Sequence, residues 1–441
     1  MNADSSVAVA HVRHLDETPA AAVAPIARLD RVRDEAMARF RSSGFPTRKV
    51  ESWKFTGLEL LARTVFRHDD RPDVARIMRA SIEAHRLTPD CHLAVFVNGR
   101  FQPALSDLGR LPVCTRVVDF SRADERDLEL MTGPLAVADS PGARALVDLN
   151  TALMRDGAVV HLGRGASIDP VQLMFLTLPA AEPGAAHLRN LLLAEAGASA
   201  MVVETHVGLG SGPYWTNAVT QVAVAPNAVL RHYKLQAEGE SAFHIAETSI
   251  RLEHDAAYRA FALSLGGQLA RNELDVALAG EHGEAHLAGA TLARGDQHLD
   301  TTLRVEHAAP HGGSSQDFKS VVDDRAHAVF QGRIRVAPGA YRTDARQLSR
   351  NLLLSGTAAV DAKPELEILA DDVKCSHGAA VGDLDRGALF YLRTRGLDDA
   401  QARALLIDGF VGELIDGIEG EAAQTYFRRA FAAWLDKEKQ P

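Results

Sequence analysis

Four turn segments recur along the middle of the chain at a nearly constant spacing. Their last alanines are Ala200, Ala228, Ala257 and Ala285, which gives steps of 28, 29 and 28 residues. A repeat of this length indicates a solenoid, propeller or array, in which each unit buries its apolar face only by stacking on its neighbours. Because each step holds two short strand-like runs, the repeat predicts a β-solenoid. A β-sandwich also has regular strand spacing, but it explains this step less well.

The chain on either side of the repeat has helical periodicity. Apolar residues from Ile26 to Phe40 recur at three- or four-residue spacing, and Gly44 is a typical helix stop. Apolar residues after Asp385 and Asp398 show the same spacing near the other end. The fold class that we predict is therefore mainly β, with a solenoid core between two helical regions.

These patterns divide the chain into three regions. Residues 1–90 should form a disordered tail, to about residue 24, and an N-terminal helical region. Residues 91–370 should form the β core, and residues 371–441 a C-terminal helical region.

Composition excludes several classes of protein. The net charge of −10, from 48 basic and 58 acidic residues, argues against nucleic-acid binding. The three cysteines form no C-x-x-C pair, which argues against a disulfide framework and for a reducing compartment. The sequence contains no stretch of eighteen apolar residues and no evident signal peptide. We therefore expect a cytoplasmic protein that does not enter a membrane.

The common catalytic motifs are missing from the sequence. It contains no G-x-x-x-x-G-K-[ST], H-E-x-x-H or G-x-S-x-G. The glycine-rich segment Gly208–Gly212 lacks the lysine of a phosphate-binding loop and reads as a turn. Asp323 and Asp324 leave open an alternative, a β-solenoid enzyme acting on polysaccharide. Adjacent carboxylates on a strand point to opposite faces, however, and suit a turn better than an acid/base pair.

Cys375 and His377 are the candidate metal ligands. They lie two residues apart, so on a strand both side chains point to the same face. A thiolate and an imidazole together suit iron or zinc. Lys374 points to the other face, but its charge could still lower the thiol pKa. Two ligands do not complete a site, so a second chain would have to supply the others. From the residues alone, a buried cysteine beside a hydrogen-bonded histidine is the preferred alternative.

Other residues are weaker candidates. Trp53 could contact a partner or could hold the N-terminal helices against the solenoid. Five histidines of the predicted solenoid could contribute to a metal pocket, but solvated imidazoles are the simpler interpretation: His286, His298, His307, His311 and His327.

Several segments together resemble the SufB/SufD family of iron–sulfur cluster assembly proteins. The resemblance is carried by residues 48–55, 329–332, 364–368, 371–379 and 388–396. SufB-like chains have a sulfur-accepting cysteine near the position of Arg350 and Asn351, and this chain has none there. The resemblance therefore favours the SufD branch of the family.

The resemblance implies a right-handed parallel β-helix in a scaffold subunit that is not itself an enzyme. It implies SufB as a partner through the β-helix and the ATPase SufC as a partner through the C-terminal helices, with a homodimer possible in isolation. It also implies that His377, and with less support Cys375, hold iron or a nascent iron–sulfur cluster shared with SufB. No cofactor is expected in the isolated chain.

Overall fold

The computed structural model describes residues 29–67, 74–132 and 144–438, and the predicted N-terminal tail lies outside these ranges. The middle of the chain is a β-solenoid, as the repeat predicts, made of two long sheets that face each other. Successive strands of the solenoid, from residue 158 to residue 382, lie alternately in one sheet and in the other. Within each sheet, neighbouring strands of this range are parallel.

The strands in chain order are β1 (His92–Val97), β2 (Arg100–Phe101), β3 (Thr115–Asp119), β4 (Ala158–Leu162), β5 (Ser167–Thr177), β6 (Gly184–Ala194), β7 (Ser199–Gly208), β8 (Tyr214–Val224), β9 (Val229–Ala237), β10 (Ala242–Leu252), β11 (Ala257–Ser264), β12 (Leu269–Leu278), β13 (Glu284–Ala293), β14 (His298–His307), β15 (Gly313–Val322), β16 (His327–Val336), β17 (Asp344–Leu353), β18 (Ala359–Ile368) and β19 (Lys374–Gly382).

The register of the strands accounts for the repeat in the sequence. Val229 pairs with Ala257, and Ala257 pairs with Glu284, which are steps of 28 and 27 residues. Each step carries the chain once through both sheets, so stacked residues come from equivalent positions of successive coils. The turns between strands place Asn227, Asp255 and Asp324 in the left-handed region, with φ between 52° and 60°. These residue types tolerate that conformation well.

Alternation along each strand sends side chains into two different cores. Val202, Leu230 and Tyr258 point into the solenoid and pack with inward residues of the opposite sheet. On the other face of β7 and β9, Val203 and Tyr233 point outward and are covered by the C-terminal helices. Strands that are buried on both faces read as continuous apolar runs, which is the pattern of the sequence here.

Helices lie on both sides of the solenoid. They are α1 (Asp30–Ser43), α2 (Glu59–Arg63), α3 (Arg79–His85), α4 (Glu125–Thr132), α5 (Ala145–Leu153), α6 (Arg386–Thr394), α7 (Asp399–Asp416) and α8 (Glu421–Glu438). The first predicted helix is present as α1 and ends at Gly44, where φ is 68°. Asp398 forms a capping box with Gln401 at the start of α7.

Trp53 attaches the N-terminal region to the solenoid. Its side chain is buried, and the guanidinium of Arg271 lies 4.0 Å from the centre of its ring. Arg271 donates to the carbonyl of Ser52, and Gln331 donates to the same oxygen at 3.0 Å. Within this chain, Trp53 therefore acts as an internal anchor.

Two features differ from the predicted division of the chain. The solenoid continues through β19, so its last strand lies beyond the boundary predicted at residue 370. The predicted β core also contains α4 and α5, which cover the side of the early coils. Apolar residues at helical spacing in α5, such as Leu146 and Leu149, are buried against the solenoid with Trp215, which explains why this stretch is helical. Among the described residues, no helix combines the length and apolar character needed to cross a membrane.

Candidate ligand pair at the open end of the solenoid

The last coil of the solenoid is uncovered. Strands β18 and β19 are the outermost strands of their sheets, so each has a free edge in the described part of the chain. Large apolar side chains here are exposed to solvent, with Ile368 43%, Leu369 46% and Val381 51% exposed. Solenoids usually end in a polar cap, because an open end leaves backbone groups and apolar surface without partners.

Cys375 and His377 lie together on this open coil. In the parallel register of β17 and β19, Cys375 stands opposite Ala345 and His377 opposite Gln347. Ala345 and Gln347 are buried, with 0% and 3% of their surface exposed, so both candidate ligands belong to the inward-facing row. The structure thus places them on one face, as their spacing predicts, and among the described residues no further coil lies above them.

The two candidates differ in their environment. Cys375 is half-buried beside a small apolar cluster that includes Ile334 and Ala345, whereas His377 is exposed. Burial raises the pKa of the Cys375 thiol, and the carboxylate of Asp344 adds to the rise. The expectation that Lys374 would lower this pKa is therefore wrong for the chain by itself. The raised pKa favours the thiol over the thiolate in the chain by itself.

Two buried amides form the floor beneath His377. Gln347 donates through Nε2 to Oε1 of Gln316 on the preceding coil. Gln347 Oε1 and Gln316 Nε2 have no hydrogen-bond partner among the described residues. Gly332, on the opposite sheet, leaves the space that the Gln347 amide occupies, since a Cβ at 332 would lie 2.2 Å from Nε2. The coil below the site is therefore polar at its centre.

A surface depression of about 400 Å³ adjoins His377. Ser315, Asp317 and Arg346 line it together with Ser376 and His377. Buried or half-buried polar groups at an open edge can accept a ligand or the side chains of another chain.

An ion pair between a buried lysine and an exposed glutamate joins this region to the C-terminal helices. Lys319 of β15 is 1% exposed at its side chain and donates to Glu413 of α7 and, at 2.7 Å, to the carbonyl of Phe410. Arg350 of β17 donates to Asp317 at 2.9 Å and lies 3.6 Å from the same Glu413. A displacement of α7 would therefore pull on the strands that lie beneath β19.

The other cysteines are not near this pair in the fold. Cys91 is buried just before β1, at the opposite end of its sheet from β19, with its thiol 3.7 Å from Gln172 Oε1. Cys114 is exposed just before β3, in the other sheet. In the described ranges, no three histidine, cysteine or acidic side chains are grouped closely enough to hold a metal ion.

The weaker candidates do not assemble into a site. His307 is buried and lies 2.9 Å from Ser314 Oγ, and His286 lies 2.8 Å from Ser315 Oγ. His298 and His327 meet edge to face beside Thr56 of the N-terminal segment, and His311 stacks on His282 along the turns. Asp323 and Asp324 lie in a turn, where Asp324 accepts from the Gly295 N–H at 2.9 Å. This arrangement does not provide the paired acids that the polysaccharide alternative requires.

Sequence reasoning missed an ionic cluster inside the solenoid. Glu204 lies 3.2 Å from His206 Nε2 and 3.1 Å from His232 Nε2, with all three side chains nearly inaccessible. Lys234 donates to Asn272 and to His244 a short distance away. Burial alone would raise the pKa of Glu204, but hydrogen bonds from the two histidines hold it well below its usual range. The alternation of Val202, Glu204 and His206 contained the signal, because all three must face inward.

The outer face of the C-terminal helices carries exposed aromatic and aliphatic side chains. Phe390 and Tyr391 of α6 are 71% and 55% exposed, and Leu405 of α7 is 49% exposed. No residue of α6 is buried. This surface lies beyond the part of α7 and α8 that packs on the solenoid, and it suits a protein partner.

Comparison with known proteins identifies relatives over most of the chain. A family model described as the SufBD core domain of the SUF system for FeS cluster assembly matches residues 177–410, and a model of the SufBD N-terminal region matches residues 21–173. The chain is 32% identical to the iron–sulfur cluster assembly protein SufD of Escherichia coli over 421 residues, covering 95% of this chain and 94% of that protein. It is 34% identical to a SufBD family protein of Synechocystis over 395 residues, covering 87% and 86%.

Proposed function

The chain belongs to the SufBD family of iron–sulfur cluster assembly proteins, and from that premise we propose that it is the SufD subunit of a SufB–SufC–SufD complex. In this proposal it is a scaffold in a reducing, cytoplasmic compartment. ATP hydrolysis belongs to the partner SufC, since this sequence has no phosphate-binding loop. The cargo is iron or a nascent cluster, held only during assembly.

The observation that carries the proposal is the position of Cys375 and His377 on the inner face of an uncovered coil. Sulfur and imidazole ligands suit iron and iron–sulfur clusters. A two-ligand half-site at a free edge is useful only if a second chain completes it. SufB fits this role because a related solenoid would offer a complementary edge and apolar end.

The open end also explains why a partner is needed for stability. Val381, Leu369 and Ile368 are exposed beside two unpaired strand edges in the described chain. Covering such edges removes an aggregation hazard. The isolated chain can satisfy the same surface by pairing with a second copy, so a homodimer is expected when SufB is missing.

SufC docks, in this proposal, on the exposed surface of Phe390, Tyr391 and Leu405. The contact of Glu413 with Lys319 and Arg350 then connects α7 to β15 and β17. When SufC closes on ATP, movement of α7 strains the strands below the ligand pair and opens the site to iron and sulfur.

Co-expression of the tagged chain with SufB and SufC tests both interfaces separately. We expect Val381→Glu to reduce recovery of SufB, because it places a charge on the open end. We expect Phe390→Asp to reduce recovery of SufC while SufB is retained. Val113→Asp is the matched control, since Val113 is 88% exposed and lies away from both surfaces in sequence and in the sheets.

The outcomes distinguish the scaffold from a stand-alone protein. If the parent chain recovers neither partner, the proposed complex is contradicted. If the two substitutions affect both partners equally, or behave as Val113→Asp does, the assignment of the two surfaces is wrong even though the complex exists.

A further inference from the structure

A cavity of about 390 Å³ lies where α8 crosses the ends of β7, β9 and β11. Its apolar walls include Val207, Leu235 and Leu265 from the strands and Trp434 from α8. His85, the last residue of α3, closes one side. None of the lining residues belongs to the coil that carries Cys375 and His377. Its volume is in the range typical of sites for small organic molecules.

Two guanidinium groups at this cavity have no acidic partner in the described part of the chain. Arg294 lies 5.6 Å from the centre of the Trp434 ring, and Arg429 lies 5.5 Å from that of Tyr426. Within the described ranges neither is within ion-pair distance of a carboxylate, although Arg429 donates to the carbonyl of Arg86 at 3.2 Å. An arginine that rests on an aromatic ring keeps N–H donors at its edge, and such donors recognise carboxylate and phosphate groups.

The acidic residues of the cavity do not cancel this charge. Glu238 is 5% exposed, and its oxygens accept from Thr216 at 2.7 Å and from Gln236 at 3.2 Å. Glu238 also lies 2.6 Å from His244 in the solenoid interior, so its charge is directed inward. Glu240 is exposed at the rim, where water screens it.

His85 adds a neutral hydrogen-bonding group to the same wall. Burial lowers the pKa of its imidazole, and the positive charge of Arg429 lowers it further. Because the His85 imidazole lies close to the Arg429 guanidinium, an anion placed between them would be stabilised by both groups. A bare inorganic anion would leave the apolar walls uncovered, so the fitting ligand has a flat apolar body as well as a negative group.

We propose that this cavity binds a small organic anion, with its phosphate or carboxylate group at Arg294 and Arg429 and its flat apolar body against Leu265 and Trp434. This site is separate from the cluster site and does not depend on SufB or SufC.

Titration of the full chain with 1-naphthyl phosphate, and in parallel with uncharged 1-naphthol, tests the site. Calorimetry and tryptophan fluorescence should both report saturable binding of the phosphate, with at least about tenfold weaker binding of the naphthol, since charge-assisted hydrogen bonds are lost. Arg294→Gln and Arg429→Gln should each weaken binding of the phosphate by about tenfold. Arg164→Gln, an exposed arginine outside the cavity, should leave it unchanged.

Three results would overturn the proposal: no saturable binding at millimolar concentrations, equal binding of the phosphate and the naphthol, or variants that bind as the parent does. Circular dichroism verifies that each variant is folded. Arg429 is exposed, so its replacement keeps the test valid if Arg294→Gln is unstable. None of these outcomes bears on recovery of SufB and SufC, so the proposed function stands or fails separately.

Discussion

Gly332 and Gln347 face each other across the inside of the solenoid so closely that a Cβ on residue 332 would lie 2.2 Å from Nε2 of Gln347. Gln347 stands directly beneath His377 in the ladder of β17 and β19. The lack of a side chain at Gly332 therefore determines where the buried Gln347 amide lies. This amide is part of the floor beneath His377. The segment around Gly332 is one of those that resemble the SufB/SufD family, and this contact gives it a physical reason.

We expect Gly332→Ala to destabilise the chain by about 1–3 kcal/mol, because overpacking pushes the Gln347 amide out of its place. Urea unfolding at neutral pH measures the change. Adding Gln347→Ala should recover part of the loss, since the shorter side chain removes the clash. If the double variant is no more stable than the sum of the single changes predicts, the two residues are not coupled and the contact is not the cause.

His377→Ala should leave folding and complex formation intact and lower the initial rate of cluster formation at least about tenfold, by analogy with the cost of disturbing residues around a metal. Visible absorbance of the purified complex, recorded over time, measures this rate, and its iron content measures the final yield. His254→Ala is the control, because His254 is 53% exposed and lies in a turn. Cluster formation at the parent rate by the His377 variant would contradict the ligand role.

Cys375 should react slowly with iodoacetamide in the isolated chain. Burial and Asp344 raise the pKa of its thiol, and only the thiolate is the nucleophile. Mass spectrometry of the Cys375 peptide should show half-maximal reactivity at a higher pH than a short cysteine peptide does. Asp344→Asn removes the nearby negative charge and should speed the reaction, and a rate as fast as that of the free peptide would show that the thiol is not shielded.

Much of the fold follows from the sequence because every coil of a solenoid has the same packing requirement. Each coil must bury its inner face, so equivalent positions such as Ala228 and Ala285 recur at a step set by two strands and two turns. The boundary at residue 370 was wrong by one strand because β19 is half-exposed and does not alternate clearly between apolar and polar residues. A strand that is held mainly by backbone hydrogen bonds to its neighbour needs no regular apolar pattern, so its sequence gives little indication of a strand.

The candidate pair could be identified from spacing, but its surroundings could not. That Cys375 and His377 share a face follows from their separation of two residues. Gln347 and Gln316 come close only because neighbouring coils stack. Which residues lie above one another depends on the register between the strands, and sequence reasoning does not determine that register. The same holds for Lys319 and Glu413, which are far apart in sequence and meet only because α7 packs on the sheet.

Trp53→Ala should destabilise the chain by about 3–5 kcal/mol, because it empties a buried site and uncovers Arg271. Loss of this anchor should also free the N-terminal region, which limited proteolysis would detect as faster cleavage near residue 53. Lys54→Ala, at an exposed neighbour, should change stability by no more than about 0.5 kcal/mol. Equal effects of the two substitutions would contradict the role of the indole as an anchor.

The free energy of unfolding should fall as the pH drops below about 6.5, because several imidazoles are buried in neutral form. Burial lowers the pKa of His244, His298 and His307 to about 4 and that of His187 to about 3. Histidines in the unfolded chain take up protons near pH 6.5, whereas these do so only near pH 4 or below. Acid therefore favours the unfolded state across this window, by about 1.4 kcal/mol per pH unit for each such histidine.

Three buried acids act in the opposite direction and reduce the slope. Burial raises the pKa of Glu247 to about 8 and that of Asp156 to about 6, and it also raises the pKa of Asp300, so each binds a proton in the folded state before it does so in the unfolded state. Below about pH 6.5 these three offset part of the loss from the four histidines but not all of it. We therefore expect a net decrease in urea-unfolding free energy from pH 7 to pH 5.

Replacing one of the histidines tests the assignment. His307→Gln keeps a polar group near Ser314, which lies 2.9 Å from the native imidazole, and removes one group that resists protonation. The variant should lose about 2 kcal/mol less than the parent between pH 6.5 and pH 5, whatever its stability at neutral pH, because the slope reflects only the number of protons bound. His254→Ala, at an exposed position, should keep the parent slope. Two results would contradict the assignment: an unfolding free energy of the parent that does not change between pH 7 and pH 5, or a His307→Gln variant with the same pH dependence as the parent. In either case, buried neutral imidazoles are not the source of the acid sensitivity.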